Sequence, residues 1–396
     1  MNSNKIVRNR KFVLLLLANT ILAAAFPIQL VLGGLTGLML APNEGLATLP
    51  TSVQTLAGLL AAAPFSLLMG SMGRRAGFII GSLITAIGGL FAIQAIYLGS
   101  FPLLCVAHFL MGAGWSSFQY FRFAAGEVVE KEWQPVSISL ILTSGLIAAI
   151  IGPEIFVMTR DALVPVPFAG AYAAMSIVAL AGIIPLLAVR LPLPAKPSNQ
   201  AGRTLTASLK ALRDPAIRRA VGIAAVSQGV MVFLMIPTPI AIVGCGFNDM
   251  MASEVVRWHI IAMFAPSFFT GFLIKRFGAC AIVMSGFAML FAASTFAALG
   301  LAAVHFYASL IILGFGWNFG FVGATAMLAG AVTETDKAVV QGTNDTIIAL
   351  VSTICAFSAG IVIATLGWIS LAVISSCIIG AAFISLAISW KKPVSA

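Results

Sequence analysis

Two short stretches of the 396-residue chain carry side chains able to hold a metal ion. One reads RWHIIAM, Arg257 to Met263; the other reads MVFLM, Met231 to Met235. Residues four apart share a helix face, so His259 stands with Met263 and Met231 with Met235. Thioethers are soft, uncharged ligands that select Cu(I), and a neutral imidazole can join them. Magnesium, calcium and manganese prefer carboxylates and carbonyls. Structural zinc usually takes thiolates or several histidines. Uncharged ligands also bury no extra negative charge, so a bound ion can leave again, as a carrier site requires. The competing reading is packing: methionine is a common apolar filler, a buried histidine often bonds a neighbouring helix, and the chain has 15 methionines.

The elements that must position these residues are membrane helices. Hydrophobic residues make up 60% of the chain and charged residues only 9%, with mean hydropathy +1.07. Soluble domains carry about 25% charged residues, so too few charges remain here to cover a water-facing surface. Apolar runs of about 20 residues recur, and the alternation of a β-barrel is absent, which predicts spanning helices. Twelve are expected: 12–37, 47–69, 78–99, 101–125, 134–157, 167–190, 218–243, 250–273, 279–300, 303–331, 343–365 and 367–390. The basic start MNSNKIVRNRK leads into an apolar run too long for a signal-peptide core, so that run reads as the first span. The polar, proline-rich stretch 191–217 is expected to be a linker between an N-terminal half, 1–190, and a C-terminal half, 218–396.

Basic residues set the expected orientation. Lys5, Arg8, Arg10 and Lys11 precede the first span, and Arg190, Lys196, Arg203, Lys210, Arg213, Arg218 and Arg219 flank or occupy the linker. Even-numbered connections add Arg74, Arg75, Lys131, Lys275, Arg276 and Lys337, and the tail adds Lys391 and Lys392, against Arg160 alone on the other side. The expectation is a multi-pass protein of a bacterial inner membrane with both termini and the linker cytoplasmic. Topology then accounts for the net charge of +10, and nucleic-acid binding is excluded. The five cysteines, an odd number without CxxC, are not expected to form disulfides.

On these spans, Met231 and Met235 lie roughly 18 and 12 Å below the outer boundary, and His259 and Met263 roughly 14 and 20 Å below it, at about 1.5 Å per residue. All four occupy one slab near the bilayer centre. Spans seven and eight, as antiparallel neighbours, are expected to turn them toward one cavity.

An offset of 202 residues aligns the halves. Gly112-Ala-Gly114-Trp115 matches Gly314-Phe-Gly316-Trp317, Ala63-Pro64 matches Ala265-Pro266, and Arg74 falls on Arg276. Two six-helix pseudo-symmetric halves predict a transporter with its site between them. GxGW itself reads as close helix packing with an interfacial or cavity-lining tryptophan.

The chain resembles the major facilitator superfamily along essentially its whole length. The stretch GSMGRRAG, 70–77, is similar to that family's cytoplasmic signature, although the family's acidic residue falls on Gly70 and the arginine after it on Ser71. The ion-pair latch assigned to that loop is therefore not carried over. HFLMGAG, 108–114, has His108 where many proton-coupled members have arginine, and span five keeps only Gly152-Pro153 of an antiporter signature. Within the family, MxxxM in span seven with HxxxM in span eight looks like the CcoA-type copper importers. That resemblance implies Met231, Met235, His259 and Met263 as metal ligands and copper as the transported substrate. It also implies import that supplies copper for cbb3-type cytochrome c oxidase assembly, with copper chaperones or oxidase assembly factors as downstream partners.

Cys245, at the outer end of span seven, is a candidate accessory metal contact. Glu254 and Arg257 are candidates for gating but equally for a structural ion pair. Glu154 and Asp345 are candidates for a coupling proton but equally for solvated helix ends. His108, with Met111 three residues on, is a candidate for coupling or a second metal contact, against a hydrogen bond across helices. No catalytic motif or Walker motif is present, so neither an enzyme nor direct use of ATP is expected, and no permanent cofactor is expected. The expected function is secondary active copper import by alternating access. The alternatives are a proton-coupled exporter of a small organic compound or drug, and a non-transporting membrane sensor.

Overall fold

A computed structural model describes residues 8–130, 133–191, 210–332 and 337–390. Lys5, Lys131, Lys196, Arg203, Lys391, Lys392 and most of the expected linker lie outside them. Among the described residues the chain is all-helical and has ten segments long and apolar enough to cross a membrane. Two of these, Asp249–Ala298 and Val339–Ile388, are 50 residues long. At 1.5 Å per residue each is about 75 Å, far beyond a hydrocarbon core of about 30 Å. Each is divided by a glycine in the left-handed region, Gly278 (φ 84°) and Gly367 (φ 76°). Dividing the two segments there yields the twelve spans of the major facilitator fold.

Contacts separate the chain into two compact units, Met1–Asn199 and Gln200–Ala396. In the first, α1 (Arg10–Ala23) and α2 (Ala25–Leu40) form one span, followed by α3 (Leu49–Met72), α4 (Arg74–Tyr97), α5 (Phe101–Phe118), α6 (Phe121–Glu127), α7 (Gln134–Thr159), α8 (Ala169–Ala181) and α9 (Ile183–Ala188). The second holds α10 (Pro215–Met235), α11 (Thr238–Gly244), α12 (Asp249–Phe264), α13 (Ser267–Ala298), α14 (Ala303–Ala331) and α15 (Lys337–Trp390). α10 starts three residues before the expected span because Asp214 caps it: the carboxylate accepts from the amides of Ala216 (2.7 Å) and Ile217 (3.5 Å), and Pro215 takes the first position, where no amide is needed.

Prolines set the breaks. Pro27 has no N–H for the carbonyl of Ala23, and the first span is interrupted at Ala24. Turn glycines repeat between units: Gly73 (φ 88°, ψ 158°) stands between α3 and α4 as Gly278 (φ 84°, ψ 151°) stands within α13. These are 205 residues apart rather than 202, so the repeat slips by three residues in this connection. A Cβ at Gly278 meets no atom within 4 Å, so only backbone conformation resists substitution. Gly278→Ala is expected to cost about 1–3 kcal/mol, read as a lowered thermal midpoint of the purified protein.

Beside Gly73, Arg74 pairs with Glu127 of the same unit. Its Nη2 lies 2.6 Å and its Nε 3.1 Å from the carboxylate, and the guanidinium is 5.8 Å from the ring centres of both Tyr120 and Phe123. The ion pair at this loop is thus made with the end of α6, in place of the acidic residue absent at Gly70.

Candidate functional site

In the second unit α14 is the helix against which the two helices bearing the candidate ligands pack. Gly314, Gly316 and Gly320 let its neighbours approach closely. A Cβ at Gly314 would lie 2.6 Å from the His259 carbonyl oxygen, and one at Gly316 2.8 Å from the Leu290 amide nitrogen. One at Gly320 would collide with the Ser227 hydroxyl. α12 lies along α14 through Leu310, Gly314 and Asn318; α10 lies along it through Trp317 and Gly320. Adjacent positions such as 317 and 318 point about 100° apart, so the two helices flank α14 as walls of a corner. They make little direct contact with each other. Span seven meets span eight directly through α11, while α10 reaches it across α14, to which the glycines give the central place.

The register places the four donors in pairs. Trp317 Nε1 donates to Gln228 Oε1 at 2.7 Å, and Ser227 lies against Gly320, so α10 runs antiparallel to α14. Met231 is three residues, about 4.5 Å, past Gln228 and therefore level with residue 314, where the Met263 amide lies. Met235 is a further turn along, level with Leu310, to whose carbonyl His259 is bound. Met231, Met235 and Met263 are all buried.

His259 is fully buried, and its Nδ1 is 2.7 Å from the Leu310 carbonyl oxygen. A carbonyl only accepts, so Nδ1 carries the proton and Nε2 of the neutral ring carries a lone pair. Among the described residues Nε2 has no hydrogen-bond partner. This is the tautomer that a metal-binding histidine adopts, with its other nitrogen donating to a carbonyl.

Both site helices stop at the site. Pro239 offers no N–H to the Met235 carbonyl, and α10 ends at Met235; Pro266 offers none to Ala262, and α12 ends at Phe264. Asn318 fills part of that gap. Its Nδ2 donates to the Met263 carbonyl and to Ser267 Oγ, both at 2.7 Å, while its Oδ1 accepts from Thr270 at 2.7 Å. Below the thioethers, Trp317 joins the two walls: it bonds Gln228 on α10 and meets Phe264 of α12 edge-on at 6.2 Å. The residue order by itself reads Trp317 as packing or lining and does not reveal Gln228, Asn318 or the helix breaks. The prolines four residues after Met235 and three after Met263 are the available signal.

The other candidates lie elsewhere. Cys245 caps α11, ten residues past Met235, and burial pushes its thiol up from its ordinary value. All five cysteines are unbridged. Arg257 Nη1 pairs with Glu254 Oε1 at 3.1 Å on α12. Glu154 and Asp345 are exposed side chains on α7 and α15.

His108 belongs to the first unit and is fully buried. Its Nδ1 is 2.8 Å from Gln54 Oε1 and its Nε2 2.9 Å from the Tyr172 hydroxyl. Both nitrogens are engaged, so in this geometry the ring has no lone pair to give a metal. The chain of bonds continues from Tyr172 to Thr36 (2.9 Å) and from Gln54 to Gln29 (3.0 Å), linking α2, α3, α5 and α8. Gly112 makes this possible, since a Cβ there would overlap the Gln54 carbonyl.

No protein-family model matches the chain. It is 35% identical over 359 residues to the riboflavin transporter RfnT of Brucella anthropi, covering 91% of this chain and 90% of the relative. It is 30% identical over 338 residues to the uncharacterized MFS-type transporter YddS of Bacillus subtilis, covering 81% and 77%. Its fold matches the nucleoside transporter NupG with a TM-score of 0.71 at 11% identity, covering 96% of this chain and 99% of that one. It also matches the human organic anion transporter MFSD10 (TETRAN) with a TM-score of 0.69 at 14% identity, covering 95% and 99%.

Proposed function

Because the chain belongs to the major facilitator superfamily of membrane transporters, which are not enzymes, we propose that the corner on α14 is its cargo site and that the cargo is copper, as Cu(I). The observation that carries this reading is the Nε2 of His259: a buried lone pair without a partner among the described residues, its tautomer set by Leu310, level with Met235 and one turn from Met263. An imidazole and three thioethers form a soft, neutral donor set, suited to a monovalent copper ion that must bind and then leave. In this reading the ion enters a bacterial inner membrane protein from the outside, touches Cys245, and is held by His259, Met231, Met235 and Met263. A change in which side the site faces then releases it to the cytoplasm for oxidase assembly. In this reading Cys245 offers a soft sulfur ligand at the entrance and serine does not, so Cys245→Ser should slow uptake at limiting copper and leave saturating uptake unchanged.

Asn318 supports the site from behind, holding the Met263 carbonyl. Asn318→Ala is expected to raise the copper concentration for half-maximal uptake about tenfold, as for an outer-shell partner of a metal ligand. An unchanged value would detach Met263 from the site.

A second reading is favoured by one specific observation. The relative that shares 35% identity across 91% of this chain is a riboflavin transporter, which supports transport of an uncharged organic ring compound. The experiment is uptake of radiolabelled copper and of radiolabelled riboflavin, in parallel, by cells lacking their own importers. Copper uptake that saturates supports the first reading; riboflavin uptake with no copper uptake replaces it with the second.

A further inference from the structure

The hydrogen-bonded chain of the first unit ends in a group with no partner among the described residues. Gln29 is fully buried, its Oε1 accepts from Gln54 Nε2, and its own Nε2 has no partner among the described residues. Turning the amides does not cure this. If Gln54 presents its NH2 to His108, Gln29 donates to the Gln54 oxygen and its own oxygen is left over. One polar arm of Gln29 is therefore spare in either arrangement: a donor in one, an acceptor in the other. A buried polar group without a partner carries the full cost of desolvation. No carboxylate, lysine or arginine takes part in the chain Gln29–Gln54–His108–Tyr172–Thr36, so what meets the spare arm is uncharged.

The surroundings define its shape. Phe26 precedes Gln29 by three residues on α2, and its ring is stacked on Trp115 with centres 4.5 Å apart and planes 21° from parallel. Both rings are only partly buried. Trp115 and His108 are seven residues apart on α5, about 10 Å, and share a face. Gly33, seven residues after Phe26, lies against the His108 ring, where a Cβ would be 2.8 Å from Cε1. α2 and α5 therefore run antiparallel in register. Gln29 sits at the level between the aromatic pair and the imidazole, about 4.5 Å in height from the first and about 6 Å from the second.

We infer that the first unit holds a binding site, built from its own residues, for an uncharged planar ring bearing an amide or imide. The ring stacks against the Phe26–Trp115 pair, and its adjacent donor and acceptor pair with the spare arm of Gln29. A ring N–H or a ring carbonyl each finds a partner, because the Gln29–Gln54–His108 chain can reverse its polarity. This site does not rest on the copper reading, and loss of copper uptake would leave it standing.

The test is calorimetric titration of the full-length protein in lipid nanodiscs with alloxazine, an uncharged tricyclic imide. Empty nanodiscs serve as the blank, and quinoxaline is the planar control without an imide. Saturable binding of alloxazine, at least tenfold tighter than quinoxaline, is expected. Gln29→Met should weaken it about tenfold or more. Phe26→Leu, which leaves every bond of the chain in place, should weaken it by a similar factor through lost stacking. Absence of saturable alloxazine binding, equal binding of quinoxaline, or undiminished binding by Phe26→Leu and a folded Gln29→Met would overturn the site.

Discussion

Replacing His259 with asparagine is expected to abolish copper uptake while leaving the protein folded and inserted. Asparagine places an amide NH2 where Nδ1 stands, so the 2.7 Å bond to the Leu310 carbonyl can be kept. It offers nothing in place of the Nε2 lone pair. The variant therefore separates two roles that alanine would remove together. A helix-packing histidine whose one hydrogen bond is preserved loses some stability to the space the ring vacates, but no function. A ligand histidine loses the site. Uptake of radiolabelled copper, at membrane abundance matched by immunoblot, should fall to the level of cells without the transporter. Wild-type uptake by His259→Asn would return the residue to packing and take the copper reading with it. Met231→Ala should give the same loss, since it removes the donor level with Met263.

Gln54→Leu is expected to destabilise the first unit strongly. Gln54 is the middle of the buried chain: it accepts from His108 at 2.8 Å and donates to Gln29 at 3.0 Å. Leucine is branched like the amide but one bond shorter, so the cost is mainly polar, with a small void added. Two buried groups lose partners together, the His108 nitrogen and the Gln29 amide. At about 1–3 kcal/mol each the loss is roughly 2–6 kcal/mol, enough to lower the thermal midpoint of the purified protein by several degrees. The double variant Gln54→Leu, His108→Leu supplies the control. It removes both ends of one bond, so its loss should be smaller than the sum of the two single losses. Strict additivity would mean that the 2.8 Å contact contributes no coupling.

The chain's membrane character, the number and approximate limits of its spans, and the internal repeat follow from composition and periodicity, because an apolar solvent about 30 Å thick demands about 20 apolar residues per helix. Spacing alone puts Met231 with Met235 and His259 with Met263 on shared faces. The family is also legible, in GSMGRRAG and in the paired GxGW motifs. Tertiary structure decided what touches what. That α14 stands between α10 and α12 depends on glycines whose missing Cβ atoms admit three neighbours, and a glycine in a string has no neighbours. That the Nε2 of His259 has no partner among the described residues while both nitrogens of His108 are taken depends on Leu310, Gln54 and Tyr172, between 51 and 64 residues away along the chain. Two histidines on similar apolar helices look alike in sequence. Their chemistry differs because a hydrogen bond is a fact about distance and direction in space, which residue order constrains only through the fold.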